Sequence, residues 1–361
     1  MEPPQNVRVS LGERSYDIEV GSGNLADVPA FFLARKEFTH AVVITDDNVD
    51  PLVADPLGDR LTDEDIHVNV MVVDPGETSK SIDVAAELWE AMLEEGADRQ
   101  SVVIAVGGGV VGDLAGFVAA AFARGLTFFQ VPTTLLAQVD SSVGGKTGVN
   151  LPTAKNMVGA FWQPAGVLID VATLGTLPER EYRAGLAEVV KYGVILDAAF
   201  FEYLEQHADA INSRDEAVLV EIVRRCCRLK ADVVEADERE TSGLRSVLNY
   251  GHTFCHAIEA ATDYEKLLHG EAVAIGMHCA ARLAERLGRV DEALVARQHA
   301  LLDRLQLPTQ LPPLDAGELI HLMRRDKKAV GGHLRFVLPT RLGHVELVDG
   351  VKAEDVRAVL E

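Results

Sequence analysis

Residues 102–116 read VVIAVGGGVVGDLAG, and this stretch decides the fold class. Five apolar, mostly β-branched residues come first, and three adjacent glycines follow before a helix-compatible run. A strand that is apolar on both faces is typical of a parallel sheet covered on both sides. Three consecutive glycines are costly in backbone entropy, but they let backbone amides approach a phosphate at the positive end of a helix. The stretch therefore predicts a βα unit of an open α/β sheet, and it favours phosphate binding over a plain tight turn.

The first half of the chain repeats this alternation of strands and helices. A helix is predicted over Ser81–Glu95, where apolar residues recur at helical spacing and Gly96 gives a stop signal. Short β-rich runs share the apolar character of residues 102–106, and they lie at Tyr16–Val20, Ala41–Thr45, Val68–Val73, Leu126–Val131 and Val167–Val171. The pattern is typical of an α/β protein with a parallel sheet.

The pattern changes near residue 175. Strand signals nearly vanish until a hairpin predicted from His333–Leu338 and His344–Val348. Long helical segments are predicted at Pro178–Ile195, Asp197–Ala210, Asp215–Ala236, Ser246–Thr262, Gly270–Leu287 and Asp291–Leu305. The sequence therefore predicts an N-terminal Rossmann-like α/β domain over residues 1–175, followed by a mostly helical domain over residues 176–361.

Composition limits the classes of partner. The 361 residues include 34 Lys and Arg against 56 Asp and Glu, a net charge of −22. Such an acidic chain repels nucleic acid and anionic membranes, and an anionic substrate would need a local cluster of cations. The four cysteines form no C-x-x-C pair, and the N-terminus has no signal-peptide pattern. With no long apolar run, we expect a reduced, cytoplasmic protein without a membrane span.

A second glycine motif follows the sheet signals. Residues 140–147, DSSVGGKT, are similar to the end of a Walker A loop, but Asp140 stands where that motif needs glycine. A P-loop is therefore excluded. The Gly-Gly-Lys turn still places the Lys146 ammonium where backbone amides converge, which suits an anion. As isolated residues, Lys146 and Lys155 would be ordinary surface lysines.

Charged and metal-ligating side chains concentrate in the helical half. Glu188 and Lys191 share one face of an otherwise apolar helix, which favours a buried or cleft position over a surface ion pair. His252 and His256 are four residues apart on a helix, and His269 follows. This density favours a metal site over separate core histidines. Spacing alone selects His252, His256 and His269 as ligands, with Glu188 as a further candidate.

Together, these motifs identify a resemblance to the 3-dehydroquinate synthases, the sugar-phosphate cyclases of the shikimate pathway. The resemblance runs from about residue 46 to residue 328. The motifs that carry it include GGGVVGDLAGF, QVPTTLLAQVDSSVGGKTGVN, GLAEVVKYG, CCRLKADVV, NYGHTFCHAIE, LHGEAVAIGM and RDKK. Tyr250 and Cys255 depart from the family pattern at positions where the motif varies.

The resemblance implies that the N-terminal domain binds NAD and that the helical C-terminal domain is a metal-binding domain, which holds a divalent ion, zinc or cobalt. The implied metal ligands are Glu188, His252 and His269, whereas His256 moves to the substrate phosphate. The implied NAD contacts are Asp46, Asn48, Glu77, Lys80, Gly108, Gly109, Val110, Val111, Gly112, Asp113, Thr133, Thr134, Lys146, Lys155, Thr173, Leu174 and Thr176.

The implied reaction converts 3-deoxy-D-arabino-heptulosonate 7-phosphate to 3-dehydroquinate and phosphate, by transient oxidation, phosphate elimination, reduction, ring opening and aldol closure. Arg124 is implied to reach the partner's site in a homodimer. The residues implied to stabilise the leaving phosphate are Lys146, Asn156, Arg245, Asn249, His256 and one of Lys327 or Lys328. Those implied to orient hydroxyls and the carboxylate are Asp140, Lys191 and Lys230.

Three alternatives stay open at this point. A sister sugar-phosphate cyclase would keep the NAD and metal residues but change the carboxylate contacts, which Lys230 and Arg245 argue against. A metal-dependent polyol dehydrogenase would not need the phosphate-binding cations. A catalytically inactive binding protein would be expected to lose site residues, and all of them are present.

Overall fold

The computed structural model describes residues 3–262, 266–325 and 334–361. By contacts, the chain separates into two compact units. The first comprises Met1–Leu177 with Leu219–Arg239, and the second comprises Pro178–Val218 with Glu240–Glu361. The domain boundary at residue 175 stays a prediction. Among the described residues, no helix has both the length and the apolar composition needed to cross a membrane.

The first unit is built on a seven-stranded sheet with helices between its strands. Its elements in chain order are β1 (Gln5–Val9), β2 (Tyr16–Gly21), α1 (Val28–Leu33), β3 (His40–Asp46), α2 (Asp55–Thr62), β4 (His67–Val73), α3 (Ile82–Glu94), β5 (Val102–Gly107), α4 (Gly109–Ala121), β6 (Thr127–Pro132), β7 (Lys146–Leu151), β8 (Ala154–Phe161) and β9 (Gly166–Asp170). The strand order is β1-β2-β9-β6-β5-β3-β4, parallel except for β1 against β2. The six predicted strands and the helix after Ser81 are confirmed.

Both faces of this sheet are covered, as the uninterrupted apolar strands predict. In β3, Val42 and Ile44 pack in one hydrophobic cluster with residues of α3 and α4. The alternate residues, Ala41 and Val43, pack in a second cluster with residues of α1 and α2. The sheet is therefore doubly wound, and the strand order reverses direction between β3 and β5. In such sheets ligands bind at this switch point, beyond the carboxyl ends of the strands.

The second unit is mostly helical. The elements that follow β9 are α5 (Glu179–Ile195), α6 (Ala198–Asn212), α7 (Glu216–Ala236), α8 (His252–Ala261), α9 (His269–Arg286), α10 (Glu292–Arg304), α11 (Ala316–Arg325), β10 (Arg335–Arg341), β11 (His344–Asp349) and α12 (Ala353–Leu360). Most of α7 belongs to the first unit. The long helices are confirmed with one exception, and so is the hairpin, apart from His333, which lies outside the described residues.

One helix prediction is wrong. The segment Ser246–Thr262 is not one helix, because a 3-10 helix over Leu244–Asn249 ends before α8 begins at His252. Gly251 separates the two with φ +80°, a left-handed conformation that a helix cannot contain and that glycine adopts at little cost. His252 therefore stands at the start of a helix rather than in its second turn.

Helices α5, α8 and α9 pack at unusually close backbone distances. A Cβ added at Gly270 would lie 1.8 Å from the carbonyl oxygen of Ala184, and one at Gly276 would lie 2.3 Å from that of Gly251. Real Cβ atoms do not approach backbone oxygens this closely, so both positions require glycine. The close packing brings the starts of α8 and α9 next to the middle of α5.

We expect Gly270→Ala to lower the free energy of unfolding by at least about 1–3 kcal/mol, because α5 and α9 must separate to admit the methyl group. The measurement is urea unfolding followed by far-ultraviolet circular dichroism. Gly175→Ala is the matched control, because a Cβ there would meet nothing within 4 Å. Equal stability of the two variants would contradict the packing described for α9.

Candidate active site

The glycine-rich turn lies at the switch point of the sheet. Gly107 ends β5, Gly108 is the N-cap of α4, and the helix begins at Gly109. A Cβ at Gly109 would lie 3.0 Å from the Ser141 hydroxyl oxygen, so a larger residue would crowd the turn. The first amides of α4 have no partner within the helix and carry its positive dipole. The predicted strand–turn–helix is confirmed, whereas phosphate binding stays a prediction.

The adjacent strand β3 ends at Asp46. One carboxylate oxygen of Asp46 accepts hydrogen bonds from the backbone amides of Asn48 and Val49, at 2.9 and 3.2 Å. Burial raises the pKa of Asp46 above its ordinary value, and the two amides oppose that shift. The carboxylate and the Asn48 side chain thus share one turn at the same sheet edge as the glycines.

Lys80 joins several of the predicted residues in one polar network. Its ammonium, on a side chain that is 5% exposed, lies 2.5 Å from both the Asp113 carboxylate and the Asn156 side-chain oxygen. Burial raises the pKa of Asp113, and the charge of Lys80 opposes this. Asn150, which the sequence analysis missed, accepts from the Asn156 amide and donates to Glu77. The network connects the start of α4 with the β7–β8 hairpin.

Lys230 and Asp140 form a second fixed pair in the first unit. The buried Lys230 ammonium lies 2.5 Å from an Asp140 carboxylate oxygen and 2.6 Å from the Asp140 carbonyl oxygen. Asp140 belongs to a π-helical turn over Ala137–Ser141. Both residues therefore have a defined position. Lys146 and Lys155 are exposed on β7 and β8 of the hairpin.

The predicted threonines lie beyond β6 and β9. The Thr133 hydroxyl is buried and has no hydrogen-bond partner among the described residues. Thr173 donates to the Asp170 carbonyl oxygen and accepts from Gln138, a fully buried residue that the sequence analysis missed. Leu174 is buried, and Thr176 donates to the Thr173 carbonyl oxygen. An unsatisfied buried hydroxyl is costly, which marks Thr133 as a group that a ligand would satisfy.

In the second unit, Glu188, His252 and His269 form a compact cluster. One ligand atom of each lies within 4.8 Å of the other two. The Glu188 Oε1 atom is 3.6 Å from His252 Nε2 and 3.8 Å from His269 Nε2. Glu188 comes from the middle of α5, and the histidines are the first residues of α8 and α9. The three side chains implied by the resemblance are thus brought together, and their role as ligands stays a prediction.

The chemistry of this cluster fits a divalent metal. Glu188 is fully buried, and its Oε1 atom accepts no hydrogen bond from the described residues. His252 Nδ1 lies 3.1 Å from the Tyr250 carbonyl oxygen, which only accepts, so Nδ1 carries the proton and Nε2 keeps a lone pair. A carboxylate with two imidazoles is a common set for catalytic zinc, and it leaves coordination positions open.

His256 lies next to this cluster without belonging to it. Its ring centre is 5.6 Å from that of His252, and the three-ligand groups of the described residues do not include it. The selection of His256 from spacing alone is therefore not supported by the geometry. The i, i+4 spacing predicts that the two imidazole rings lie close together. Which donor atoms converge depends instead on where α5 places Glu188 and α9 places His269.

Two further cations of the second unit are buried. Lys191 is 1% exposed and forms an ion pair with the second carboxylate oxygen of Glu188. Arg245 is 3% exposed, and its guanidinium lies 3.5 Å from the Glu240 carboxylate. Asn249 donates to the Ser246 carbonyl oxygen at 3.3 Å. Buried charges cost desolvation energy, so their presence here favours a functional role.

Three predicted residues stand apart. Arg124 is an exposed residue in a tight turn, with φ +71°, in the first unit. Its reach toward a partner chain stays a prediction. Lys327 and Lys328 lie outside the described residues, so their predicted contact with the phosphate is not tested.

Two solved sugar-phosphate cyclases share this architecture. The chain is similar to a 2-deoxy-scyllo-inosose synthase complexed with carbaglucose-6-phosphate, NAD⁺ and Co²⁺, with 28% identity, a TM-score of 0.89 and 99% of both chains covered. It is also similar to the 2-epi-5-epi-valiolone synthase of Streptomyces hygroscopicus subsp. jinggangensis 5008 with NAD⁺ and Zn²⁺ bound. That match has 31% identity, a TM-score of 0.88 and 97% of both chains covered.

Sequence comparisons identify the family. The model of the 3-dehydroquinate synthase N-terminal domain matches residues 70–184, and that of the C-terminal domain matches residues 185–329. A 3-dehydroquinate synthase of Rhodopirellula baltica (strain DSM 10527 / NCIMB 13988 / SH1) is 50% identical, over 99% of this chain and 97% of the relative. The chain belongs to the 3-dehydroquinate synthase family.

We expect Lys80 and Asp113 to be energetically coupled. Lys80→Met leaves a largely buried carboxylate without its counter-ion and should lower the free energy of unfolding by about 1–3 kcal/mol. Adding Asp113→Asn should recover part of this loss, with a coupling free energy of about 0.5–3 kcal/mol by urea unfolding. The exposed Lys36→Met is the control, expected within about 0.5 kcal/mol of the unsubstituted protein. Simple additivity of the two substitutions would contradict the pairing.

Proposed function

We propose that this chain is a 3-dehydroquinate synthase, a lyase that converts 3-deoxy-D-arabino-heptulosonate 7-phosphate to 3-dehydroquinate and phosphate in aromatic amino acid biosynthesis. The observation that carries the proposal is the cluster that the buried Glu188 forms with His252 and His269 in a chain of this family. The 50% identity to a protein of that name favours this reaction over those of the two solved cyclases, at 28% and 31%.

Glu188, His252 and His269 would hold a divalent metal, zinc or cobalt. The unsatisfied Glu188 Oε1 atom and the Nε2 atoms that face it support this assignment. When bound, such an ion polarises a substrate oxygen and lowers the pKa of its hydroxyl group. Two similar structures were solved with Co²⁺ and with Zn²⁺.

The first unit would hold NAD at the carboxyl edge of its sheet. Asp46 and Asn48 would contact the adenosine end of the cofactor, and the backbone amides of residues 108–113 would contact its diphosphate. The Thr133 hydroxyl would form a hydrogen bond with the cofactor. When bound, NAD accepts a hydride and returns it within one turnover, so no net redox change appears. The remaining proposed contacts are Glu77, Lys80, Thr134, Lys146, Lys155, Thr173, Leu174 and Thr176.

The other polar residues of the chain would bind and orient the substrate. The Lys230 ammonium, held by Asp140, would meet the substrate carboxylate, and Lys191 would meet a hydroxyl group next to Glu188. The leaving phosphate can take up the neighbouring proton itself, so no strong protein base is needed there. The residues proposed to stabilise charge on that phosphate are Lys146, Asn156, Arg245, Asn249, His256 and one of Lys327 or Lys328.

We expect a homodimer in which Arg124 reaches the site of the partner chain, because a guanidinium pairs well with a phosphate. We expect a cytoplasmic enzyme, because its substrate is a phosphorylated metabolite and its cofactor is recycled NAD. The net charge of −22 argues against nucleic-acid partners.

The deciding experiment measures phosphate release from 3-deoxy-D-arabino-heptulosonate 7-phosphate by the purified protein with NAD and zinc, while NADH absorbance is followed. We expect one phosphate per dehydroquinate and no lasting NADH. Phosphate release only from sedoheptulose 7-phosphate would instead identify the protein as a sister sugar-phosphate cyclase. NADH accumulation without phosphate would indicate a dehydrogenase, and no turnover of either sugar would contradict an enzymatic role.

Glu188→Gln should lower kcat by about 10²–10³-fold, because it removes an anionic ligand while keeping the shape of the side chain. The assay is phosphate release at saturating substrate. Glu181→Gln is the control, since it removes a carboxylate from the exposed side of the same helix α5. Full activity of Glu188→Gln would rule out the assigned ligand set.

A further inference from the structure

We propose that Glu259 is a positioning residue of the metal centre, which it serves by accepting the Nδ1 proton of His269. This inference rests on the proposed function in one respect, the metal held by Glu188, His252 and His269. It adds a residue that lies outside that ligand set and outside the predicted substrate and NAD contacts.

The contact joins two helices. His269 is the first residue of α9, and its Nδ1 atom lies 3.1 Å from a carboxylate oxygen of Glu259 on α8. Glu259 is seven residues after His252, so the two side chains share one face of α8 about two turns apart. Helix α8 therefore supplies one proposed ligand directly and a contact to a second.

This contact determines which nitrogen of His269 is available. A carboxylate that accepts this hydrogen bond places the shared proton on Nδ1, which leaves Nε2 as the nitrogen available to a metal. The Nε2 atom is the one that faces Glu188 Oε1, at 3.8 Å. A carboxylate at the far nitrogen also makes an imidazole a stronger donor to a metal, and loss of such partners commonly weakens metal binding about 10–100-fold.

The surroundings strengthen the contact. The Glu259 side chain is 13% exposed, so its carboxylate is largely shielded from water, whereas the His269 side chain is 36% exposed. His269 begins its helix after a loop, and Gly270 next to it packs on the Ala184 carbonyl oxygen. The backbone of His269 is thereby fixed, but rotation of its ring is not. The Glu259 carboxylate restrains that rotation.

Cys255 offers a matched comparison. Its Sγ atom lies 3.8 Å from the same His269 Nδ1 atom and 3.9 Å from the His269 carbonyl oxygen. Thiol sulfur is a weak acceptor, and both distances are long, so the carboxylate is the better partner for the Nδ1 proton. A substitution at Cys255 alters the same pocket without removing the proposed interaction.

The test is a titration of metal-free protein with Co²⁺, followed by the visible absorption of the bound ion. We expect Glu259→Gln to weaken Co²⁺ binding about tenfold and Glu259→Ala up to about 100-fold. The absorption bands of bound Co²⁺ should shift, because the donor strength of His269 changes. Cys255→Ala should stay within about threefold of the unsubstituted protein. His269→Ala, which removes a ligand outright, is the positive control.

The outcomes separate this inference from the proposed function. If Glu259→Gln binds Co²⁺ as tightly as the unsubstituted protein while His269→Ala does not, the positioning role is overturned and the metal centre stands. If Cys255→Ala weakens binding as much as Glu259→Gln does, the positioning role is likewise overturned. A lower melting temperature of metal-free Glu259→Gln with unchanged Co²⁺ affinity would reduce Glu259 to a structural role. Absence of Co²⁺ binding by the unsubstituted protein would overturn both the metal centre and this inference.

Discussion

The close approach of three helix backbones is the constraint on which the helical unit depends. Gly270 lies against the Ala184 carbonyl oxygen and Gly276 against that of Gly251, at distances that exclude any side chain. Because α5, α8 and α9 meet there without intervening side chains, functional groups from the middle of one helix and the starts of two others converge. The cluster of Glu188, His252 and His269 follows from backbone packing rather than from a local sequence motif.

Burial makes this convergence costly unless the charges are compensated. Glu188 is fully buried, and an isolated carboxylate there would be strongly destabilised. Lys191, one helical turn further along α5, offsets part of that cost at one oxygen. The other carboxylate oxygen, Glu188 Oε1, accepts no hydrogen bond from the described residues. Part of the desolvation cost therefore remains at this atom, and a bound cation would offset it. In the first unit, the Lys80 ammonium likewise compensates a largely buried carboxylate, because it donates to both Asp113 and the Asn156 side-chain oxygen.

Much of this architecture could be predicted because the strands of a doubly wound sheet are apolar on both faces and long helices have strong periodicity. Strands β7 and β8 could not, since polar and apolar residues follow no regular alternation along them and the two strands pair as a partly exposed hairpin. The short helices α11 and α12 were also missed, because eight to ten residues are fewer than the window of about 11–18 residues over which helical periodicity is recognised. Asn150 and Gln138 act through hydrogen bonds that no sequence spacing encodes.

Sequence spacing alone does not identify the three residues of the proposed metal centre. The i, i+4 spacing on α8 brings the ring centres of His252 and His256 to within 5.6 Å of each other, and that proximity alone selects His256. Gly251, in the left-handed conformation, ends the preceding 3-10 helix, so His252 opens α8 and its Nδ1 atom bonds back to the Tyr250 carbonyl oxygen. Its Nε2 atom is thereby directed toward α5 and α9, whereas His256 lies one turn beyond. The residue that completes the cluster, Glu188, is 64 positions earlier in the chain. Only the tertiary packing of α5 against α8 and α9 brings Glu188 to the two histidines. The family motifs identify all three residues because these residues recur together in proteins with the same packing.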